Sequence, residues 1–159
     1  MVSASAAHIV EPALSISTQD GWRLSATLRR KTRVGTALAH TEHSLRFSAF
    51  RSFAGGGFAR HVLGARGAVG VVTGHDNVAY AVGGFSGGSV ELLPGVTFGG
   101  GARNFPVRGY PPGARVARQA ASLSVEVRSP LALVGRGYGL WPAMLDRVSL
   151  ALFTDLGAT

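Results

Sequence analysis

Alternation of apolar and polar side chains is the feature that constrains this chain most. Between residues 22 and 29 every second residue is apolar and the residues between them are polar, which is the period of a β-strand with one apolar side. The same period recurs over residues 45–50, 122–128 and 147–155. These stretches predict an antiparallel all-β fold. The apolar set of the first stretch is Trp22, Leu24, Ala26 and Leu28.

Further strands are predicted from turns and glycines. Residues 14–18 alternate and then turn at residues 19–21, which indicates a hairpin into the strand that begins at Trp22. Residues 30–40 are predicted to form a polar loop. Residues 59–73 alternate but are long for one strand, and a helix is not expected there, because their glycines would each destabilise it by roughly 1 kcal/mol relative to alanine. Residues 78–101 are expected to form short strands and loops.

Composition excludes some classes of protein and leaves others open. Hydrophobic residues make up 46% and charged residues 15% of the 159 residues, and 23 are glycine, which argues against disorder and suits a glycine-rich β protein. The net charge of +8 is compatible with nucleic acid, an anionic membrane surface or an acidic partner. The N-terminal residues lack the pattern of a signal peptide, and no apolar run is long enough for a spanning helix. The weaker pattern of a β-barrel stays open.

A proline-rich stretch, residues 104–113, is predicted to form a rigid loop rather than a strand, because its prolines remove backbone donors. It carries Arg108 among the apolar residues Phe105, Val107 and Tyr110. An arginine in such surroundings requires carboxylate partners. Glu126 and Asp155 both fall on the polar phase of their strands, so two carboxylates are available on one face. We therefore predict that they pair with Arg108.

Two architectures fit this pattern of two-faced strands. A sandwich buries the apolar faces of two sheets against each other. A transmembrane barrel turns the apolar face to lipid and the polar face to its lumen.

Four segments in order resemble the outer-membrane assembly factor superfamily, which includes the BamA and TamA families, bacterial surface antigens and the two-partner-secretion transporters. Val107-Arg108-Gly109-Tyr110 resembles the Val-Arg-Gly-Phe/Tyr motif of the long loop that folds into these barrels. The glycine-rich lead-in, residues 99–106, the Glu-x-Arg-x-Pro strand at residues 124–131 and the Phe-x-Asp-x-Gly ending at residues 152–157 also match. The detailed match covers roughly residues 99 to 157.

The resemblance implies an integral protein of the bacterial outer membrane, not an enzyme and without a cofactor or metal. It implies that this barrel helps β-barrel proteins insert into the outer membrane, or exports proteins across it. Implied partners are outer-membrane lipid, unfolded outer-membrane or secreted proteins, and accessory lipoproteins or periplasmic modules, but no nucleic acid. The motif loop, about residues 99–119, would fold into the lumen. The implied site is Val107, Arg108, Gly109 and Tyr110 on the loop, Glu126 and Asp155 as lumen partners, and Arg128 and Gly157 in support.

The chain accounts for only part of a family barrel. Family barrels have about sixteen strands, whereas this sequence predicts about six to eight. We therefore expect residues 1–159 to be part of a single C-terminal barrel domain that this chain does not close alone. POTRA modules and a signal peptide are not found in the sequence, so a fragment of a longer protein is expected.

Other motifs in the sequence point to other functions less strongly. Residues 84–88 match the Gly-x-Ser-x-Gly motif of hydrolases. However, no helix is predicted after the serine, and no histidine follows it in the sequence, as the hydrolase fold requires. His40 and His43 are near each other in sequence, although loop histidines are usually solvated. Trp22, Tyr138 and Trp141 are expected to be core or interfacial residues. The remaining alternatives are a soluble β-sandwich binding module and a barrel that anchors a fused domain such as a patatin-like phospholipase.

Overall fold

The computed structural model describes most of the chain and is all-β. The described residues are 1–10, 18–32, 39–54, 60–75, 78–84, 90–93, 96–98, 104–137 and 144–159. None of these residues forms a helix long and apolar enough to cross a membrane.

Six long strands form one antiparallel sheet with the order β1-β2-β3-β4-β10-β11. Consecutive strands are neighbours except at β4 and β10, which pair with each other across the long segment between them. The six strands are β1 (Val2–Val10), β2 (Asp20–Lys31), β3 (His40–Ala54), β4 (Arg60–Gly74), β10 (Gln119–Gly137) and β11 (Met144–Ala158).

The segment between β4 and β10, residues 75–118, is called here the loop, and it contains short strands of its own. They are β5 (Tyr80–Gly83), β6 (Val90–Leu93), β7 (Val96–Phe98), β8 (Asn104–Pro106) and β9 (Arg115–Ala117). β5 lies between β8, which is parallel to it, and β9, which is antiparallel. β6 and β7 form a separate two-stranded pair.

Strand register gives the large sheet two chemically different faces. The first, which we call the apolar face, carries a row of directly paired residues that runs across five strands. Large apolar side chains on this face are exposed, including Leu24 at 42% and Leu156 at 63%. The row is Leu24, Phe47, Gly67, Leu123 and Leu156.

The opposite side, which we call the polar face, carries polar and small residues at the alternate positions. One of its rows is Arg23, Ser48, Arg66, Ser124 and Asp155. The loop packs on this face, and the buried cluster lies between the loop and the sheet. The cluster contains Ala68, Val72, Tyr80, Val82, Phe105, Val107 and Ala120. The chain therefore buries apolar groups on its polar side and leaves the apolar face uncovered by any described residue.

The sequence predictions for the strands are mostly confirmed, with three corrections. β2 pairs with Val2–Val10, a strand that the sequence reading missed, while most of the strand predicted at 14–18 lies outside the described residues. The strand predicted over residues 122–128 continues past Pro130 to Gly137, because a register shift between Pro130 and Ala132 accommodates the proline.

The third correction concerns the proline-rich stretch. Asn104–Pro106 was predicted to be loop, but it is the short strand β8 beside β5. A proline is tolerated there because β8 lies at the edge of a three-stranded sheet and Pro106 is its last residue. The ladder is extended by the next residue, since the Val107 amide donates to the Gly83 carbonyl at 2.7 Å.

Candidate functional site

The residues after β8 form a tight turn that points Arg108 at the sheet. Gly109 has φ of 85°, a conformation that suits glycine. The Ala114 amide donates to the Pro111 carbonyl at 3.2 Å, and the Gly84 amide donates to the same carbonyl at 3.1 Å. These bonds tie the turn back to β5, so the backbone that carries Arg108 is held at both ends.

Arg108 binds Asp155 of β11 with three hydrogen bonds. Its Nε donates to Oδ2 at 2.7 Å and its Nη2 donates to Oδ1 at 2.8 Å, which is the bidentate arrangement of guanidinium and carboxylate. The backbone amide of Arg108 also donates to Oδ2, at 2.9 Å. Asp155 therefore fixes both the side chain and the main chain of this loop residue.

Two residues of β10 complete the contacts of the guanidinium. Nη1 of Arg108 donates to Oε2 of Glu126 at 3.2 Å, and Nη2 donates to Oγ of Ser124 at 2.8 Å. The other oxygen of Glu126 accepts a hydrogen bond from Nε of Arg128. Glu126 thus bridges two arginines. We call Arg108, Ser124, Glu126 and Asp155 the arginine clasp.

The aromatic ring of Phe153 supports the clasp. Cζ of Arg108 lies 3.5 Å from the centroid of this ring, which is cation–π geometry. The Asp155 side chain is 5% exposed, whereas the Arg108 side chain is 33% exposed. Hydrogen bonds to Asp155 raise the pKa of Arg108 above its ordinary value, so the guanidinium stays charged. Each charge-assisted bond in these surroundings contributes about 1.5–3 kcal/mol.

The sheet register explains why these side chains meet. Ser124 pairs with Asp155 and Glu126 pairs with Phe153 across β10 and β11, so all four share the polar face. Gly157 lies two residues beyond Asp155 on the same face. A Cβ on Gly157 would lie 2.7 Å from Cγ2 of Val107, so the absence of a side chain there lets the loop approach the sheet closely.

A second attachment, which we call the aromatic anchor, consists of Tyr80 and Phe105. Both are fully buried, and their rings meet edge to face with centroids 5.0 Å apart. They lie over Gly70 of β4, where a Cβ would come within 2.7 Å of either ring. The Tyr80 hydroxyl donates to the His43 carbonyl at 2.9 Å. From β3, Arg46 donates to the Asn104 carbonyl at 3.2 Å, and its guanidinium lies 5.6 Å from the Phe105 ring centroid.

The structure brings together Arg108, Glu126 and Asp155, the three residues that the sequence pattern paired. Arg128, which the resemblance gave only as a supporting residue, is hydrogen-bonded to Glu126. Tyr110 is different. We predicted that it surrounds Arg108 with apolar surface, but it is 63% exposed. The turn at Gly109 directs it away from the buried cluster.

Sequence reasoning did not assign a role to Ser124 or Phe153. The signal was present, because each lies two residues from a predicted acid and so on the same phase of its strand. The Gly-x-Ser-x-Gly serine and residues 99–103 of the glycine-rich lead-in lie outside the described residues. His40 is buried on the polar face, while His43 lies on the opposite face, so the two do not meet. Within the described ranges, acids and histidines do not form a group of three suited to a metal.

Comparisons of the chain with family models, with curated proteins and with solved structures gave no match.

Proposed function

We propose that this chain is part of the transmembrane β-barrel of an outer-membrane assembly or translocation factor. In this proposal the apolar face contacts lipid and the polar face lines the lumen, where the arginine clasp holds the loop. The observation that carries the proposal is the exposed apolar face, because a large uncovered apolar surface marks an interface with lipid or with another protein.

The height of the apolar face supports lipid as its neighbour. From His43 to Phe53 the strand β3 rises about 34 Å at ~3.4 Å per residue. At a tilt of ~45° this length is about 24 Å across the membrane. The apolar band of an outer-membrane barrel is about 25 Å tall.

A polar row at one end of this face and aromatic rings at the other end also suit a membrane. Arg30, Thr41 and Thr73 are directly paired and form a polar row at one end. At the other end the rings of Phe53 and His61 stack with centroids 5.4 Å apart, and Nδ1 of His61 lies 2.9 Å from Oγ of Ser129.

An arginine that lies on the apolar face away from the polar row of Arg30 requires an explanation. Arg51 lies on this face, two residues from Phe53. That position is near the end of the apolar band, where a long side chain snorkels to the interface.

The proposed role is mechanical rather than catalytic. A loop clasped to two lumen strands braces the wall of the barrel, and the barrel assists the insertion of β-barrel proteins into the membrane or the export of a chain across it. β1 and β11 are the edges of the sheet, and in a closed barrel each would pair with a further strand.

Refolding the purified chain into phospholipid vesicles tests the class of protein. We expect the chain to float with the vesicles, to resist extraction with alkaline carbonate and to be protected from protease along β2–β4 and β10–β11. Leu24→Asp and Leu45→Asp, both on the apolar face, should each reduce the membrane-bound fraction. Ser25→Asp, a neighbour on the polar face, is the matched control. A chain that stays soluble without detergent and pairs its apolar faces would support the sandwich and refute the barrel.

A second experiment tests the role. Vesicles that carry the chain should accelerate the folding of an unfolded outer-membrane barrel protein diluted from urea, compared with empty vesicles. Arg108→Ala should reduce this acceleration if the clasp braces an active wall. Membrane insertion without any acceleration, and without passage of an unfolded chain, would reject the assembly or translocation role while leaving the barrel class intact.

A further inference from the structure

An open basic cleft lies at the end of the sheet where β2 ends and β3 begins. Its volume is about 560 Å³. It is distinct from the arginine clasp, because no residue of the clasp lines it. Its lining includes Arg29, Arg30, Lys31, His40, Glu42 and Val78.

Three consecutive cations give the cleft its charge. Strand alternation puts Arg29 and Lys31 on the polar side of β2 and Arg30 on the apolar side, so positive charge surrounds the end of the strand. Arg29 is half-buried, while Arg30 and Lys31 are exposed. Glu42 is the carboxylate that lines the cleft among the described residues, so the local charge is positive.

A buried pair forms the floor of the cleft. Nε2 of His40 lies 3.0 Å from Oε1 of Glu42, and their side chains are only 2% and 6% exposed. In the strand register, Arg29 faces Glu42 and Lys31 faces His40. The cations therefore surround a buried pair in which the carboxylate of Glu42 already contacts the ring of His40.

Among the β2 and β3 residues that line the cleft, Arg30 is the one on the apolar face. Arg30 belongs to the polar row with Thr41 and Thr73, and the next row along the strands contains the exposed residues Leu28 and Val71. A lipid whose acyl chain lay along Leu28 would bring its headgroup to Arg30. Charge complementarity then favours a phosphate group.

We propose that Arg30 and Lys31, at the strand end that borders this cleft, bind the phosphate group of an anionic membrane lipid whose chains lie on the apolar face. The inference rests on the proposed function, since it requires that face to contact lipid. It adds a specific ligand class and a position for it at one rim of the barrel.

Vesicle binding with defined lipids tests the inference. The refolded chain is mixed with vesicles of phosphatidylcholine alone or of phosphatidylcholine with phosphatidic acid, and the affinity for each is measured at low salt. We expect tighter binding to vesicles with phosphatidic acid. Arg30→Gln and Lys31→Gln should each weaken that preference about five-fold, since a surface cation near anionic lipid contributes ~1 kcal/mol. Arg51→Gln is the matched control for Arg30→Gln, because it removes an exposed arginine from the same face as Arg30 but outside the cleft, and it should leave most of the preference.

Each remaining result decides a separate point. Equal insertion into both kinds of vesicle, or equal losses in the Arg51, Arg30 and Lys31 variants, would overturn the lipid site and leave the proposed function standing. Failure to enter either kind of vesicle would reject the proposed function itself. Competition by millimolar inorganic phosphate, with no preference for phosphatidic acid, would assign the cleft to a free anion instead and overturn the lipid identity.

Discussion

The loop is attached to the sheet at two places that use different chemistry. The aromatic anchor is fully buried and consists of Tyr80 and Phe105 packed over Gly70. The arginine clasp is partly exposed and consists of directed bonds from Arg108 to Asp155 and Glu126. The anchor contacts β4 and the clasp contacts β10 and β11.

The two attachments are expected to have different roles: the anchor mainly stabilises the docked loop, and the clasp mainly sets its position on the sheet. Apolar burial is non-directional and scales with area, so the anchor stabilises the docked loop without requiring one exact geometry. A bidentate ion pair requires one geometry, so the clasp determines where the turn sits along β10 and β11. If this division is correct, substitutions in the anchor should mainly reduce stability, and substitutions in the clasp should also change the position of the loop.

Phe105→Ala should have the largest effect. Truncating a fully buried phenylalanine removes apolar burial and leaves a cavity, so we expect a loss of about 3–5 kcal/mol in the free energy of unfolding. Urea titration of the chain in detergent micelles measures it. Tyr110→Ala is the control, because that side chain is exposed and should change stability by less than about 0.5 kcal/mol. Equal losses in the two variants would contradict the anchor.

Arg108→Ala and Asp155→Asn test the clasp as a coupled pair. Each should lower stability by about 2–3 kcal/mol, because the partner is left without its charge-assisted bonds. The double variant should lose less than the sum of the two, with a coupling energy of about 1–2 kcal/mol. Protease cleavage near residues 107–114 should increase in all three. Additive losses with an unchanged cleavage pattern would remove the placement role. Glu126→Gln should couple to Arg108 in the same way.

Gly157→Ala tests how closely the turn must approach β11. The new Cβ would lie 2.7 Å from Cγ2 of Val107, and overpacking of this kind destabilises by about 1–3 kcal/mol. Val107→Ala in the same chain should restore part of the loss, because it removes the methyl group that clashes. No rescue would mean that the strand itself, rather than the contact, requires glycine.

Phe153→Leu should have the smallest effect. It keeps an apolar side chain but removes the ring beneath the guanidinium, at a cost of about 1 kcal/mol. Phe153→Tyr retains the ring and should be nearly neutral. The same denaturant titration distinguishes them, and a loss shared by both variants would show that the ring's electrostatics do not contribute.

The long strands and the acids of the clasp were predictable because they depend on a period of two. Any residue on the same phase as Glu126 or Asp155 had to share their face, and Arg108 was the loop arginine that the sequence places among bulky apolar residues. The strand Val2–Val10 was not predicted, because its small and polar residues give little amphipathic signal.

The aromatic anchor was also not predictable from periodicity. Tyr80 and Phe105 are far apart in sequence and lie on short strands, and Gly70 reads in the sequence as a residue that weakens its strand. Only the fold shows that Gly70 provides the space in which both rings lie. Likewise β8 forms because β5 offers a partner, which the local proline content does not reveal.

The junction between β4 and β10 is where adjacent strands of the large sheet are separated by the whole of residues 75–118. Through its anchor and its clasp, the loop spans this junction from β3 and β4 on one side to β10 and β11 on the other. The loop separates strands β1–β4 from strands β10 and β11 in sequence, and its contacts also hold these two parts of the sheet together. Because β10 pairs with β4 only when this long segment closes on itself, we expect the docking of the loop and the pairing of β4 with β10 to favour each other.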